Sequence, residues 1–336
     1  MSQSPGPVPA WVYAVLGAVA AAAIISLLAA LWLRLPAPLR KEVVTAPTTG
    51  GPMLPLDLPY LPLPASATII KPTELPPAAE ATATVPVPVA PSPTAAVPPA
   101  AYPRGAGRVA LVIDDMGMDP TLSAQAVTSL PSAVTFAFMV EAPATEALAR
   151  RAQAEGHPLI VHLPMEPQPH AEGTPPLGPY GVALGMDSPT LVRQTQANLA
   201  PLAGLVEGVN NHMGSRFTQW QEGMRVVLQE ISNQGLYFLD SRTAAPTATR
   251  AAAAGLNLRL AARDVFLDHT ATEPAVRAEL QRAVKLAQKR GAQGTPVVVI
   301  GHPLPATLSV LQADLPQLEA AGVALVPLRL ALQPPR

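Results

Sequence analysis

The pattern of apolar and polar positions divides this chain of 336 residues into three parts. Residues 11–33 are uncharged and almost wholly apolar. Residues 34–105 show neither a helical nor a strand period. From residue 106 onward, short runs of β-branched residues alternate with amphipathic stretches, the signature of β/α units. The expected strands are Arg108–Ile113, Ala133–Val140, His157–His162, Leu205–Val209, Leu236–Leu239, a weak pair at Leu256–Leu260 and Val265–Leu267, Pro296–Ile300 and Val323–Val326. Between them the period predicts helices over Pro120–Leu130, Ala144–Glu155, Ser188–Ala203, Trp220–Gln234, Thr272–Arg290 and Pro305–Ala321. Gly156 and Gly235 stop two of these as C-terminal glycines do, and Thr218 with Gln221 reads as a capping box. The Pro- and Gly-rich segment from Pro164 to Asp187 has the length of a lid or binding loop. Seven or eight such units in one domain, residues 106–332, fit either a barrel or a doubly wound parallel sheet.

The first third carries a different message. The uncharged stretch of residues 11–33 is long enough to cross the ~30 Å hydrocarbon core, and Trp11, Tyr13 and Trp32 stand near its ends, where aromatic rings favour the interface. It is longer than a signal-peptide core and lacks a positive flank before it, so the reading is an uncleaved transmembrane anchor behind a short tail, residues 1–10. The next 72 residues, 34–105, hold 18 of the 42 prolines. Such a segment cannot bury a core and predicts an extended, disordered tether. Arg34, Arg40 and Lys41 follow the anchor, and by the positive-inside rule they hold the C-terminal part in the cytoplasm. The long spacer argues the other way, for a domain held off the inner membrane in a periplasmic or other extracytoplasmic space, and that is the expectation adopted.

Composition narrows the chemistry. A net charge of -1 offers no broad basic field, which argues against nucleic acid as a partner. With no cysteine, disulfides and thiolate metal sites are excluded, and a metal would need His and carboxylate ligands. Directly after the expected strands come Asp114-Asp115, His162, Asn210-Asn211-His212, Asp240-Ser241-Arg242, Asp268-His269 and Gly301-His302. In a parallel β/α architecture all of these lie at the C-terminal ends of strands, where sites are built. One strand-end histidine is usually structural; several around an Asp pair match a divalent metal site with an open position, Zn²⁺ being the foremost candidate.

Several longer motifs carry a family resemblance. Val112-Ile-Asp-Asp-Met-Gly117, Val134-Thr-Phe-Ala-Phe138, Glu155-Gly-His-Pro-Leu-Ile-Val-His-Leu-Pro-Met-Glu-Pro167, Asn210-Asn-His-Met-Gly-Ser215, Leu239-Asp-Ser-Arg-Thr243, Arg263-Asp-Val-Phe-Leu-Asp268 and Ile300-Gly-His-Pro303 stand in order along the domain. Together they resemble the divergent polysaccharide deacetylases, relatives of the NodB-type carbohydrate esterases. The resemblance implies an irregular (β/α)7-8 barrel. It implies Asp114 as general base, Asp115 as metal ligand, His162 as the first histidine of a His-x-x-x-His motif, and His302 as general acid. The fourth neighbour of His162 is Glu166, so either His212 or Glu166 completes the metal set, imidazole being the commoner partner of His. The relatives' Arg-x-Pro-Tyr motif has no clear counterpart, which leaves Asn211, Ser215 or Arg242 for substrate and oxyanion contacts. Arg242 is equally able to bridge Asp240. Asp264 is read as a member of the same polar network, His157 as structural, and His170 and His269 as solvated loop residues.

The activity so implied is metal-dependent removal of N- or O-acetyl groups from an envelope polysaccharide such as peptidoglycan or another aminosugar polymer. The alternative is a membrane-anchored module without catalysis that binds glycan or protein through the same face. The membrane is a partner through residues 11–33, and the tether offers a surface to an envelope protein partner.

Overall fold

The structure is a computed structural model that describes residues 107–169, 176–291 and 296–335. The tail, anchor and tether read at residues 1–105 lie outside the described residues, as does His170. Among the described residues no helix is long and apolar enough to cross a membrane.

A single parallel sheet organises the domain. The run Gly107–Met116 forms β1, and it pairs with β2, Thr135–Phe138, on one side. Beyond β2 the sheet continues through β3 (Leu159–Met165), β4 (Gly208–Met213), β5 (Tyr237–Asp240) and β6 (Leu260–Ala262). A short β7, Val265–Phe266, closes the far edge beside β8, Val297–Gly301, which is the other neighbour of β1. The first residues of β1 also pair with β9, Val323–Leu325.

The strands β6 and β7 are two residues apart in the chain yet stand at opposite ends of the strand order. The dipeptide between them spans the gap: the amide of Arg263 donates to the Asp240 carbonyl at 3.0 Å, and the next amide, Asp264, donates to the Val298 carbonyl at 2.8 Å. The sheet is therefore curled into a half-barrel rather than spread into an open doubly wound sheet. This decides between the two architectures that the alternation of strands and helices leaves open.

The period of two along each strand sorts the side chains. In β1, Val109, Leu111 and Ile113 join the large core under the helices, whereas Ala110 and Val112 join the smaller core inside the curl. Likewise Leu159, Val161 and Leu163 of β3 face out and Ile160 faces in. Continuing the inward series past the apolar residues brings Asp114, His162, Asn210 and His302 to the mouth of the curl. Its floor is filled from below by Val326, Leu328 and Ala331. Glycine is required at the start of β4: a Cβ on Gly208 would stand 2.3 Å from the ring of Tyr237, the residue it pairs with in β5.

Seven helices are described: α1 (Pro120–Ser129), α2 (Thr145–Ala154), α3 (Ser188–Leu199), α4 (Gln221–Asn233), the single turn α5 (Thr249–Ala252), α6 (Glu273–Arg290) and α7 (Pro305–Asp314). Asp119 caps α1, accepting the amides of Thr121 and Leu122 at 2.9 Å each, an arrangement of about 1 kcal/mol. In α4, Met224, Val227, Leu228 and Ile231 repeat at helical spacing and bury one face against the sheet.

Two local readings change. The strand predicted at Leu205–Val209 lies further on, because β4 pairs with β3 from Gly208 through Met213 and so carries Asn210, Asn211 and His212 within the strand itself. Polar residues are tolerated there because the inward ones meet other polar groups at the mouth. The capping box at Thr218 and Gln221 does not form: the Thr218 hydroxyl donates to the Gly214 carbonyl at 2.8 Å, and a 3-10 turn over Phe217–Gln219 leads into α4 instead.

Candidate active site

The C-terminal ends of β1, β3, β4 and β8 bring together Asp114, Asp115, His162, His212 and His302. At the centre stands Asn210, buried completely. Its amide nitrogen donates to Asp114 Oδ1 at 2.8 Å, and its amide oxygen lies 2.8 Å from His162 Nδ1. An ionised carboxylate only accepts, so the Asn210 oxygen must face the imidazole, and Nδ1 of His162 carries its proton. In neutral His162 the lone pair is then on Nε2.

That nitrogen points into a tight triangle. Asp115 Oδ1 is 3.2 Å from His162 Nε2 and 2.9 Å from His212 Nδ1, and the two ring nitrogens are 3.1 Å apart. Asp115 Oδ1 is buried and receives no well-directed hydrogen bond. An orphaned carboxylate oxygen costs about 1–3 kcal/mol, and it is a strong sign that something else belongs beside it. Ligands 2.0–2.2 Å from a tetrahedral ion stand roughly 3.3 Å from each other. The three atoms match that spacing, so Asp115, His162 and His212 fit a divalent cation.

Backbone strain marks the same rim. Asp115, Met213 and Arg242, each at or just beyond a strand end, have φ of 56°, 53° and 52°. Such left-handed conformations in residues other than glycine cost about 1–3 kcal/mol each and persist where their surroundings over-determine them.

The electrostatics divide the two aspartates. Burial raises the Asp114 carboxyl, and the nearby His162 and His302 and the Asn210 hydrogen bond reverse only part of that rise. For Asp115, burial also acts upward, but His162 and His212 outweigh it and hold the group far below the usual carboxylate range. Burial pulls His162 down, and the pair Asp114 and Asp115 pushes it further up. Of the two carboxylates, Asp114 is thus the readier to accept a proton, while Asp115 stays charged.

His302 lies across the triangle, its Nε2 3.9 Å from Asp115 Oδ2. Its Nδ1 is 2.9 Å from Asp268 Oδ1, and its ring packs edge-on against Phe266 with centroids 5.4 Å apart. Arg263 lies over the other aspect of this wall, 5.0 Å from the Phe266 ring, and donates to the carbonyls of Ser241 at 2.6 Å and Arg242 at 2.9 Å.

The remaining expected residues serve elsewhere. Glu166 accepts from the Leu184 amide at 2.6 Å and pairs with Arg216 at 2.5 Å, bracing the loop after β3; it is not among the converging ligand atoms. Ser215 accepts from the Gln168 amide at 2.8 Å and ties the same loop down. Asn211 accepts the Ser241 amide at 2.9 Å and donates to the Met213 carbonyl at 2.7 Å. Asp240 takes the Arg242 backbone amide at 2.8 Å and the Thr247 hydroxyl at 2.6 Å, so no side-chain bridge joins Asp240 to Arg242. Asp264 precedes β7 and so stands at the wrong end of it. It forms a two-point ion pair with Arg290, 2.8 Å at each contact, and accepts the Val298 amide at 3.0 Å. His157 is buried between the carbonyls of Val134 and Val127, as a structural histidine.

Asn210 and Asp268 were not assigned roles from sequence. The signals were present: Asn210 is two residues before His212 and therefore on the same strand face, and Asp268 follows the apolar run of β7 just as Asp114 follows that of β1.

The chain is similar to several known proteins. The family model described as divergent polysaccharide deacetylase matches residues 111–332. An uncharacterized Escherichia coli K12 protein, YibQ, is 38% identical over 210 residues, spanning 62% of each chain. An uncharacterized Haemophilus influenzae protein is 30% identical over 211 residues, 62% of this chain and 71% of that one. Among solved structures, the uncharacterized protein ATU2773 of Agrobacterium tumefaciens C58 shares the fold with a TM-score of 0.61 at 23% identity, covering 66% of this chain and 88% of that one.

Proposed function

Because the chain belongs to the divergent polysaccharide deacetylase family, we propose that it is a metal-dependent hydrolase that removes N- or O-acetyl groups from an envelope polysaccharide. The observation that carries this reading is the triangle of Asp115 Oδ1, His162 Nε2 and His212 Nδ1, with sides of 2.9 to 3.2 Å. Asp114 and His302 stand beside that triangle. A divalent cation held there, zinc by the chemistry of two imidazoles and one carboxylate, would supply Lewis-acid polarisation of the acyl oxygen and acidify a water molecule.

The chain's own residues account for the proton movements. Asn210 occupies Asp114 Oδ1 and leaves Oδ2, 3.7 Å from His162 Nε2, as the oxygen that accepts a proton from the attacking water. Asp268 holds the Nδ1 proton of His302 and aims Nε2 at the site, where it protonates the departing nitrogen or oxygen. A mere binding surface has no use for this division of labour between two adjacent carboxylates, which favours the enzymatic reading over the non-catalytic module. We further propose that residues 11–33 anchor the protein in the inner membrane and that residues 34–105 space an extracytoplasmic domain from it. Protease treatment of spheroplasts tests that placement; a domain protected until lysis would overturn it.

The full-length protein tests the activity. Elemental analysis is expected to find one bound divalent metal per chain, and acetylated aminosugar polymers are expected to release acetate. In D114N the metal should remain and turnover should stop. Stoichiometric metal without acetate from any substrate would sink the deacetylase reading, and a metal-free protein after metal loading would sink every hydrolase reading.

A further inference from the structure

Among the described elements, the β6-to-β7 connection carries no helix, because Arg263 and Asp264 alone make it. The seam is left with a cavity of about 530 Å³. Its walls are partly apolar, with Pro246, Leu260 and Ala261, and partly cationic, with Arg242, Arg250 and Arg290.

The carboxylates in this cavity are already engaged. Asp264 is matched by Arg290 at two points, and Asp240 is used by the Arg242 amide and the Thr247 hydroxyl. The other two guanidinium groups are not matched. The Arg242 side chain makes no ion pair or hydrogen bond among the described residues, and that of Arg250 reaches only the neutral Gln333 Oε1 at 3.3 Å. Both residues are exposed to solvent at the rim.

Arg242 is also held in place. Its backbone has a φ of 52°, fixed by the bond from its amide to Asp240 and by the bond from Arg263 Nη2 to its carbonyl at 2.9 Å. Burial, together with the charge of Arg242, which reaches Arg263, lowers the pKa of Arg263 against the opposing charges of Asp114 and Asp240. The rim adjoins the active site directly: Ser241, between Asp240 and Arg242, accepts from Asn210 Nδ2 at 3.2 Å. A smaller cavity of about 240 Å³ shares Arg250, Leu260 and Gln333 and prolongs the groove away from the site.

We propose that the seam cavity is a subsite for the carboxylate of an acidic sugar unit, held by Arg242 and Arg250, and that the polymer presented to the neighbouring active site is anionic as well as acetylated. Guanidinium groups suit this task because they bind carboxylates through paired, directional N–H bonds, and the apolar wall accommodates the carbon face of a sugar ring. The statement about the polymer rests on the hydrolase reading; the subsite itself does not.

Calorimetric titration of the full-length protein at low ionic strength tests it with three soluble probes: neutral tri-N-acetylchitotriose, the disaccharide of N-acetylglucosamine and N-acetylmuramic acid, and trigalacturonic acid. At least one acidic probe is expected to bind about tenfold more tightly than the neutral one, and the better of the two identifies the carboxylate as a lactyl ether or a uronate. The preference should vanish in R242Q/R250Q with bound metal and melting temperature unchanged. The single variant R250Q, at an exposed position of α5 and away from the strained backbone, should lose part of it. Equal binding of neutral and acidic probes, no binding of any probe, or a preference that survives the double variant would overturn the subsite. Acetate release measured on the same preparations separates the two ideas. Acidic preference without acetate release sinks the deacetylase reading and keeps the subsite, and acetate release without acidic preference sinks the subsite alone.

Discussion

His302 Nδ1 lies 2.9 Å from Asp268 Oδ1, while the other oxygen of Asp268 takes the His302 amide at 2.6 Å and the Thr307 hydroxyl at 2.8 Å. Burial acts to lower the imidazole pKa, but the hydrogen bond and charge of Asp268 outweigh it and push it up to about 9. His302 is then cationic through the neutral range, as its proposed role of general acid requires. Turnover should fall as pH rises through about 9. The linked stability has the same sign: a raised histidine pKa stabilises the fold fully below its ordinary value of 6.5, and that contribution is lost as pH climbs through about 9.

In D268N the alkaline limb of the pH–rate profile should move to lower pH, and kcat should fall on the order of 10²-fold. A limb that stays in place would remove His302 from the role of acid.

Asn210 joins Asp114, the proposed base, to His162, a proposed metal ligand, through one amide group. N210A leaves Asp114 Oδ1 and His162 Nδ1 without their buried partner, at a cost of about 1–3 kcal/mol. Metal affinity should drop roughly 10- to 100-fold, as expected when the group orienting a ligand is lost. Urea denaturation and chelator competition measure the two effects, and unchanged affinity would show that His162 needs no such orientation.

His212 and Glu166 compete for the place of third ligand, and the two substitutions should behave differently. H212A is expected to lose metal on dialysis. E166Q should keep it, giving up only a partly exposed pair with Arg216 of about 0–1 kcal/mol. Elemental analysis of both variants decides the matter, and the opposite result would place the ligand on the loop after β3.

Gly208 tests the barrel floor independently of the chemistry. In G208A the new methyl group would meet the Tyr237 ring, 2.3 Å away, between two paired strands that cannot easily part. Overpacking of this kind costs about 1–3 kcal/mol. A lower melting temperature with unchanged bound metal is expected; an unchanged melting temperature would mean that the strands yield at this point.

Much of the site was legible because strand ends are legible. A β-branched run that stops at Asp114-Asp115, or at Gly301-His302, announces both a buried parallel strand and the polar residues at its mouth. The same rule selects Asp268 over Asp264, since one follows the apolar run and the other precedes it. Glu166 illustrates the opposite case: its spacing from His162 fits a ligand motif, yet Arg216 and the Leu184 amide claim its carboxylate, and no local pattern foretells partners 50 and 18 residues away.

By itself the sequence determined the β/α alternation, the inward-facing series on each strand, and the donor set of His and Asp without thiol, because these follow from side-chain chemistry and from periods of two and 3.6 residues. Tertiary structure alone decided that the sheet curls, that His212 rather than Glu166 meets Asp115 and His162, and that one asparagine bonds both Asp114 and His162. Those facts depend on which strands lie side by side and in what register: His162 is level with Asn210 only because β3 and β4 pair from Ile160↔Gly208 onward. Register between strands some 50 residues apart in the chain is set by the packing of the whole barrel, and by the Arg263-Asp264 link that joins its two edges.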